Sequence, residues 1–509
     1  MAKVNTLHPL YKQNITAWNR VRDCVQGSIA IKGKDTLYLP MPSGMVDAPP
    51  TALNQTSFGS REEYPLRTGD QDFQRPTWSG TKAYENYKIR AHFPDLTSDT
   101  LRGLMGVASN KNPTFILPSR MEYLRENSTN DGLTLLQLYF KLIEDVLQTG
   151  RIALGIDIDV DTGNLVFLTY SAESFINWKN SSKTNLFTLG VFKETNPTNP
   201  TNEDMFDQSM TEKKRVLFLD ENGIYTTAVW VDGEQIADSL IQPTLQGRAF
   251  NKVPIVAIGS TNQDPDPDKI PLLGISDVSV QIYMKNADLN NAEFLTCNPT
   301  LVLTGADSNE IPSAMGSTVA LTLANPQANV FYTQTDTSGL NHCKEHIKDL
   351  KDEAQMYGSA ILGDSAGGVE SAEALRVKQA SRQASLMSIV RSVSEGLQTG
   401  LNLIGEWMGI DSDEITVETP DRFAETLLSD SERQQLVSEW QNGAISMSIW
   451  RHNLRKGGII PDTVEDQAIE DEFDQGVSAI TGDQIDESED KPNVDQQGAN
   501  APSGSEEET

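Results

Sequence analysis

Apolar positions along the chain follow two alternating periods. Ile15, Trp18, Val21 and Val25 recur every three or four residues and Gly27 follows them, which puts them on one helical face and supplies a stop. A second helical pattern runs from Trp78 to Gly106, punctuated by Pro94 and Asp95. A third, over 131–151, carries Leu135, Leu138, Leu142, Ile143 and Val146 on one face, with Gly150 as its end. The period then shortens. "IALGIDIDVDTGNLVFLTY" reads as two strands around Thr162-Gly163-Asn164. "NLFTLGVFKE", "KKRVLFLDENGIYTTAVWVDGEQI" and "VPIVAIGS" add strands, with turns at Glu221-Asn222-Gly223 and Asp232-Gly233. Because the spacers are short, 150–260 is expected to be an antiparallel β-rich region.

Helical spacing returns after "DPDPDKIP" (264–271), which reads as a linker. Ile275, Val278, Ile282, Leu289 and Ala292 predict a helix of about twenty residues. "NPTLVLTG" predicts a strand, and the insert 305–333 carries further strand signal in "TVALTL" and "NVFYTQ". Leu340, Cys343, Ile347, Leu350, Ala354, Tyr357 and Ile361 alternate steps of three and four, a seam-like stripe suited to packing on a neighbouring helix. From about Ser371 to Gly409 a long helix presents Leu386, Val390, Val393, Leu397, Leu401, Ile404 and Met408 on one face. At 1.5 Å per residue it reaches about 55 Å. Gly396 and Gly400 within it permit either a kink or a close approach. "EITVETPDRF" predicts a last strand, and two short helices broken at Gly443 follow.

Charge changes this picture at one end. The 509-residue chain holds 72 acidic and 41 basic residues, a net of −31. From Asp462 onward there are sixteen acidic residues and one lysine, Lys491, so about half of the excess sits in the last tenth of the chain. That stretch is poor in apolar residues and is expected to stay disordered. So acidic a body is not expected to grip nucleic acid non-specifically, since phosphate binding depends on lysine and arginine. Cys24, Cys297 and Cys343 are too few and too scattered for a disulfide framework or a cysteine zinc site. No signal-peptide pattern opens the chain and no apolar run approaches a membrane span. A reducing cytoplasm is the expected place of synthesis.

Candidate chemistry is sparse. "LGDSAGGVES" (362–371) contains a literal G-x-S-x-G around Ser365, the pattern of a serine esterase elbow. Such an elbow needs a buried strand before the serine, an oxyanion segment and a histidine base. Here a helical stripe precedes it, no HGGG-type segment occurs upstream, and only His452 follows, in a basic helical stretch. A glycine-rich loop is the favoured reading. His342 and His346 lie four apart, a metal-ligand spacing on a helix, but Cys343, Lys344 and Glu345 between them lack the order of zinc proteases. "DIDVDTG" (157–163) puts glycine one place late for a calcium loop and reads as a hairpin turn. No phosphate-binding G-x-x-x-x-G-K-[ST] occurs. Lys344, Lys348 and Lys351 form a basic stripe; surface pairing, such as Lys348 with Asp352, is the favoured reading over a phosphate-facing role.

The order of parts, with the phrases "GRIALGIDID", "ESFINWK", "VPIVAIGS", "PLLGISDVSVQIYMKNADLNNAEFLTCNPTLVLTG", "SAEALRVKQASRQASLMSIVRSVSEGL" and "LVSEWQNGAIS", resembles the portal proteins (head-tail connectors) of tailed bacteriophages. The resemblance spans roughly residues 8–475. It implies an α+β, elongated subunit: N-terminal arm and β-rich wing at 1–271, a stem helix at 272–296, a small β-containing clip at 297–338, a second stem helix at 339–361, a tunnel loop at 362–371, a long wing helix and strand at 372–428, a helical crown at 429–475 and an acidic disordered tail at 476–509. It also implies a ring, usually of twelve subunits, at one capsid vertex of the virion, assembled in the host cytoplasm. The ring is a passive channel for packaging and ejecting double-stranded DNA. Its implied partners are the terminase, the major capsid or scaffold protein, and head-completion or adaptor and tail proteins. No enzymatic activity, cofactor, metal or membrane is expected. Gly363, Asp364, Ser365, Ala366, Gly367, Gly368, Val369 and Glu370 would form the tunnel loop facing DNA, and Lys344, Lys348 and Lys351 are candidates for the channel-facing side of the stem. A serine hydrolase using Ser365, or another virion structural protein, are the alternatives.

Overall fold

The computed structural model describes residues 4–42, 45, 80–159, 161–181, 184, 186–197, 210–237, 239–297, 300–305, 325–333, 338–362, 372–419 and 430–456. The chain divides into two compact units, 1–423 and 424–509.

In the first unit, α1 (Pro9–Gln26) starts with proline at its first position, where no amide is needed, and ends at Gly27 with φ 85°. The short helix α2 (Ser28–Gly33) follows. The Trp78–Gly106 pattern forms two helices, α3 (Gly80–Arg90) and α4 (Leu96–Ala108), with Pro94 between them. Strand β1 (Thr114–Ile116) precedes α5 (Leu135–Thr149). Thr134 and Gln137 close a capping box on α5, and Gly150 ends it in the left-handed region at φ 70°.

The β-rich region holds β2 (Arg151–Ile158), β3 (Leu165–Ser171), β4 (Phe175–Asn180), β5 (Phe187–Pro197), β6 (Met210–Leu219), β7 (Tyr225–Val231), β8 (Glu234–Gln235), β9 (Thr244–Leu245), β10 (Arg248–Ala249) and β11 (Ile255–Gly259). Every strand pairing in it is antiparallel, as the short spacers require. One sheet runs β11-β2-β3 and another β4-β5-β6-β7-β8. Phe192 on β5 stacks on Tyr170 of β3 at 3.9 Å and on Phe175 of β4 at 4.4 Å, which ties the two sheets together. The 157–163 stretch ends β2 and enters a turn: Asp159 accepts hydrogen bonds from the Thr162 hydroxyl at 2.5 Å and, through its carbonyl, from Gly163 N at 2.8 Å.

The 264–271 stretch is not a free linker. Asp268 accepts from the backbone N–H of Thr261 (2.7 Å) and Asn262 (3.3 Å), Arg151 donates to the Pro265 carbonyl at 2.5 Å, and Ile270 is buried. Aspartate and proline serve here as turn formers in a packed corner. Arg151 itself is fully buried against the Trp178 ring, 3.9 Å from its centroid, and burial pulls its pKa down to about 9.

Beyond that corner come α6 (Leu273–Cys297), β12 (Thr300–Thr304), β13 (Asn329–Thr333), α7 (Ser338–Leu362), α8 (Ala372–Met408) and β14 (Thr416–Glu418). The strand signal in "TVALTL" lies outside the described residues. β14 pairs antiparallel with β1, Phe115 opposite Val417. α8 is continuous for 37 residues, and Leu386, Val390, Val393, Leu397, Leu401 and Ile404 on it are buried in the main core. Gly396 and Gly400 serve close approach: a Cβ at Gly396 would lie 2.5 Å from Ile258 Cγ1, and one at Gly400 2.9 Å from the Phe167 ring. Gln398 pins β14 to this helix, donating to the Ile415 carbonyl at 2.7 Å and accepting from Val417 N at 2.6 Å.

In the second unit, α9 (Asp430–Gln441) and α10 (Met447–Lys456) are separated by a turn in which Gly443 has φ 70°. Trp440 and Trp450 stack across it at 5.1 Å.

Ile258 is fully buried, so a methyl placed at position 396 has no free space to displace it into. Gly396→Ala is expected to cost about 1–3 kcal/mol. The Gly396→Ala/Ile258→Ala double variant should lose less stability than the sum of the two single changes, as read from urea unfolding.

Candidate functional site

The segment the resemblance singles out is α6, the β12–β13 ribbon, α7, the connection 363–371 and α8. α6 and α7 each have 25 residues, about 37 Å at 1.5 Å per residue. They pack antiparallel. Val278, Ile282 and Leu289 of α6 meet Ile347, Leu350 and Ala354 of α7 in one buried cluster, with Leu340 and Cys343 half-buried against it. At one end Lys344 pairs with Glu293 at 2.8 Å. At the other, the Tyr357 ring lies so close to Gly274 that a Cβ there would sit 2.9 Å from it. The seam stripe on α7 thus finds its neighbouring helix.

α6 is held from a second side as well. Tyr283 and Ala287 join a cluster with Tyr84, Tyr87 and Phe93. Around them Tyr87 donates to Asp288 at 2.6 Å, Asn290 to the Arg90 carbonyl at 2.8 Å, and Arg20 pairs with Asp277 at 2.5 Å. Cys24 is buried in the same cluster, and burial next to Asp23 pushes its thiol up to about 12, so it is no nucleophile at neutral pH.

β12 and β13 pair from Thr300↔Thr333 to Thr304↔Asn329 and form a two-stranded sheet among the described residues. Val330, Phe331 and Tyr332 are exposed on it.

Among its described side chains, α7 is buried on its seam alone. Lys344, Glu345, His346, Lys348, Asp349, Lys351, Asp352 and Glu353 are all exposed. The lysines fall on one flank of the seam. Glu345, Asp349, Asp352 and Glu353 fall on the far side. The Lys348–Asp352 pair expected from the sequence is not formed: among the described residues the helix makes its ion pair through Lys344. His342 and His346 are exposed, and no cluster of three or more metal-ligating side chains exists among the described residues.

Gly363, Asp364, Ser365, Ala366, Gly367, Gly368, Val369 and Glu370 lie outside the described residues. Their flanks are described: α7 is helical through Leu362 and α8 from Ala372. The esterase elbow requires a strand before its serine, and a helix stands there. His452, the base that reading needs, is on α10 in the second unit.

Sequence reasoning missed two features. Glu293 was not recognised as the partner of Lys344, a contact between helices that no local spacing reveals. The separation of charge on α7 was legible in like charges at i,i+4, Lys344 with Lys348 and Glu345 with Asp349.

Residues 271–408 match the model of a domain of unknown function, DUF4055. The match begins just before α6 and ends on the last residue of α8. No curated protein matches the chain. Among solved structures, a chain from the neck of an empty GTA particle, computed with C6 symmetry, is 12% identical with a TM-score of 0.38, over 70% of this chain and 89% of that one. A chain from the virion of a native gene transfer agent (GTA) particle is 14% identical, with the same score and coverage. The architecture described above is mixed helix and sheet, α+β, with antiparallel sheets and helices in separate stretches of the chain.

Leu350 is buried at the centre of the α6–α7 seam, whereas Lys344 and Glu293 are partly exposed. Leu350→Ala is expected to cost about 2–4 kcal/mol, and Lys344→Ala less than about 1 kcal/mol. Urea unfolding of the two variants checks the contrast.

Proposed function

We propose that this chain is a portal-type subunit of a tailed phage. Twelve or so copies would form a ring at one capsid vertex, through which double-stranded DNA is packaged and later ejected. One observation carries the reading. Two helices of equal length pack antiparallel, are joined at one end by a two-stranded ribbon, and continue at the other through a short connection into a 37-residue helix. This is the order of stem, clip, stem, tunnel loop and wing helix that the sequence resemblance implies.

The physics of a conduit agrees with it. The chain has no phosphate-binding loop, so ATP hydrolysis belongs to a separate motor, the terminase, docked at the ribbon. Its net charge of −31 repels the phosphate backbone and keeps DNA from adhering to the wall. In this reading 363–370 is the tunnel loop. Asp364 and Glu370 bring carboxylates near the duplex, and Gly363, Gly367 and Gly368 let the loop change conformation at little cost. Capsid or scaffold protein would contact the wing, and head-completion or tail proteins would replace the motor at the ribbon. Ser365 then does no bond chemistry. A hydrolase is disfavoured by the helix that precedes it.

Negative-stain images of the purified protein are expected to show closed rings with an axial hole; monomers or open fragments would sink the proposal. Deleting 364–369 should leave the rings intact while lowering the DNase-protected DNA in assembled particles. Normal packaging and retention by such rings would remove the tunnel-loop assignment. Wild type and Ser365→Ala should be equally inert toward a generic aryl ester; hydrolysis lost in Ser365→Ala would revive the enzyme.

A further inference from the structure

We infer that α7 is a two-sided, charge-complementary interface, its lysine flank docking on the acidic flank of α7 in the next copy of this chain. The inference rests on the ring reading above and adds which surfaces meet.

At 3.6 residues per turn, Lys344, Lys348 and Lys351 fall within about 60° of one another, on one side of the buried seam. Glu345, Asp349 and Asp352 fall within about 60° of one another too, centred about 100° further round, with Glu353 beyond them. All seven are exposed. The segregation sets like charges side by side on the helix. Lys344–Lys348, Lys348–Lys351, Glu345–Asp349, Asp349–Asp352 and Asp349–Glu353 are all like-charge i,i+3 or i,i+4 neighbours, an arrangement that weakens an isolated helix, while the opposite-charge neighbours Glu345–Lys348 and Lys348–Asp352 form no ion pair among the described residues. A helix selected only for its own stability would interleave the signs.

Among the described residues nothing offsets this for two of the lysines. Lys344 is matched by Glu293 across the seam. Lys348 and Lys351 have no carboxylate within 4 Å among the described residues, and Asp352, one turn from Lys348, does not pair with it. In this proposal the compensating charge comes from a neighbouring copy. On α6, Asp277 and Glu293 are already paired with Arg20 and Lys344, and Asp288 accepts from Tyr87. The acidic flank of α7 remains free to supply it.

A contact of this kind can build a closed ring. A heterologous contact joins two different surfaces and propagates head to tail until rotation closes it. Two flanks of opposite sign on one helix are two such surfaces. They attract in one order and repel when like flanks meet, which fixes the direction of assembly. Exposed pairs are each weak, so the contact sets orientation and is repeated around the ring, and it should weaken as salt shortens the Debye length from about 10 Å at 0.1 M to about 3 Å at 1 M.

The test uses the full chain in two charge-reversed forms, Lys348→Glu/Lys351→Glu and Asp349→Lys/Asp352→Lys, with oligomer distributions read by native mass spectrometry. Each form alone is expected to need at least ten-fold more protein than wild type for half-assembly at 0.1 M salt. Mixed in equal amounts, they should recover rings holding the two forms in equal number, since the reversed flank of one fits the reversed flank of the other. Assembly of either form alone at the wild-type concentration would overturn the proposal; if such rings also packaged less DNA, the lysines would face the duplex instead. Failure of the mixture to restore rings would overturn it as well. Wild type that forms no ring would dismiss the portal reading itself, a result distinct from wild-type rings indifferent to the reversals.

Discussion

The burial of α8 against the β11-β2-β3 sheet is the contact on which the first unit depends. Its inner stripe runs from Leu386 to Trp407 and is closed to solvent throughout. Each such side chain contributes about 1.5–3 kcal/mol relative to exposure. The same helix receives polar anchors along the stripe: Ser392 donates to the Gly259 carbonyl at 2.9 Å, Ser394 shares a hydrogen bond with Tyr139, and Gln398 holds β14. Sheet, α5, β14 and β1 are thus all referred to one helix. The segment from α6 to α7 emerges from this body at the packed corner 264–271 and returns to it through α8.

Much of this was legible because the responsible patterns are local. The α8 stripe, the capping box and glycine stop of α5, and the antiparallel strands with short turns all leave periodic or positional marks in the sequence. What was not legible depends on distance or on mixed environments. β14 takes its partner from β1, some three hundred residues earlier, and no spacing encodes that. The corner at 264–271 has the composition of a linker because the same aspartates and prolines that suit an open chain also build tight turns. α6 shows only part of its burial in its stripe, since it is covered from two sides and Tyr283 and Ala287 fall outside a single face. Of the candidate site, the two paired helices were readable from the seam of α7, whereas the partner of Lys344 was not.

The charge pattern links fold to function. In the proposed role, net negative charge has a cost in self-repulsion and a benefit in low adhesion to nucleic acid. α7 carries nearly equal numbers of both signs, sorted by side, while about half of the whole chain's excess lies from Asp462 onward. Sorting matters more than the total, because a helix with interleaved signs satisfies itself and offers nothing directional to a neighbour.

The two glycines of α8 carry a mechanical meaning. Ile258 and Phe167 enter the helix surface at Gly396 and Gly400, one turn apart, like the teeth of a key. Two notches on one rod block both rotation about its axis and sliding along it. A force applied near Ala372, where the rod leaves the short connection from α7, therefore reaches the sheet as a tilt of the whole helix and cannot be absorbed by slippage. Ala372 lies about 36–42 Å along the rod from the two notches, so the sheet is coupled to that distant end.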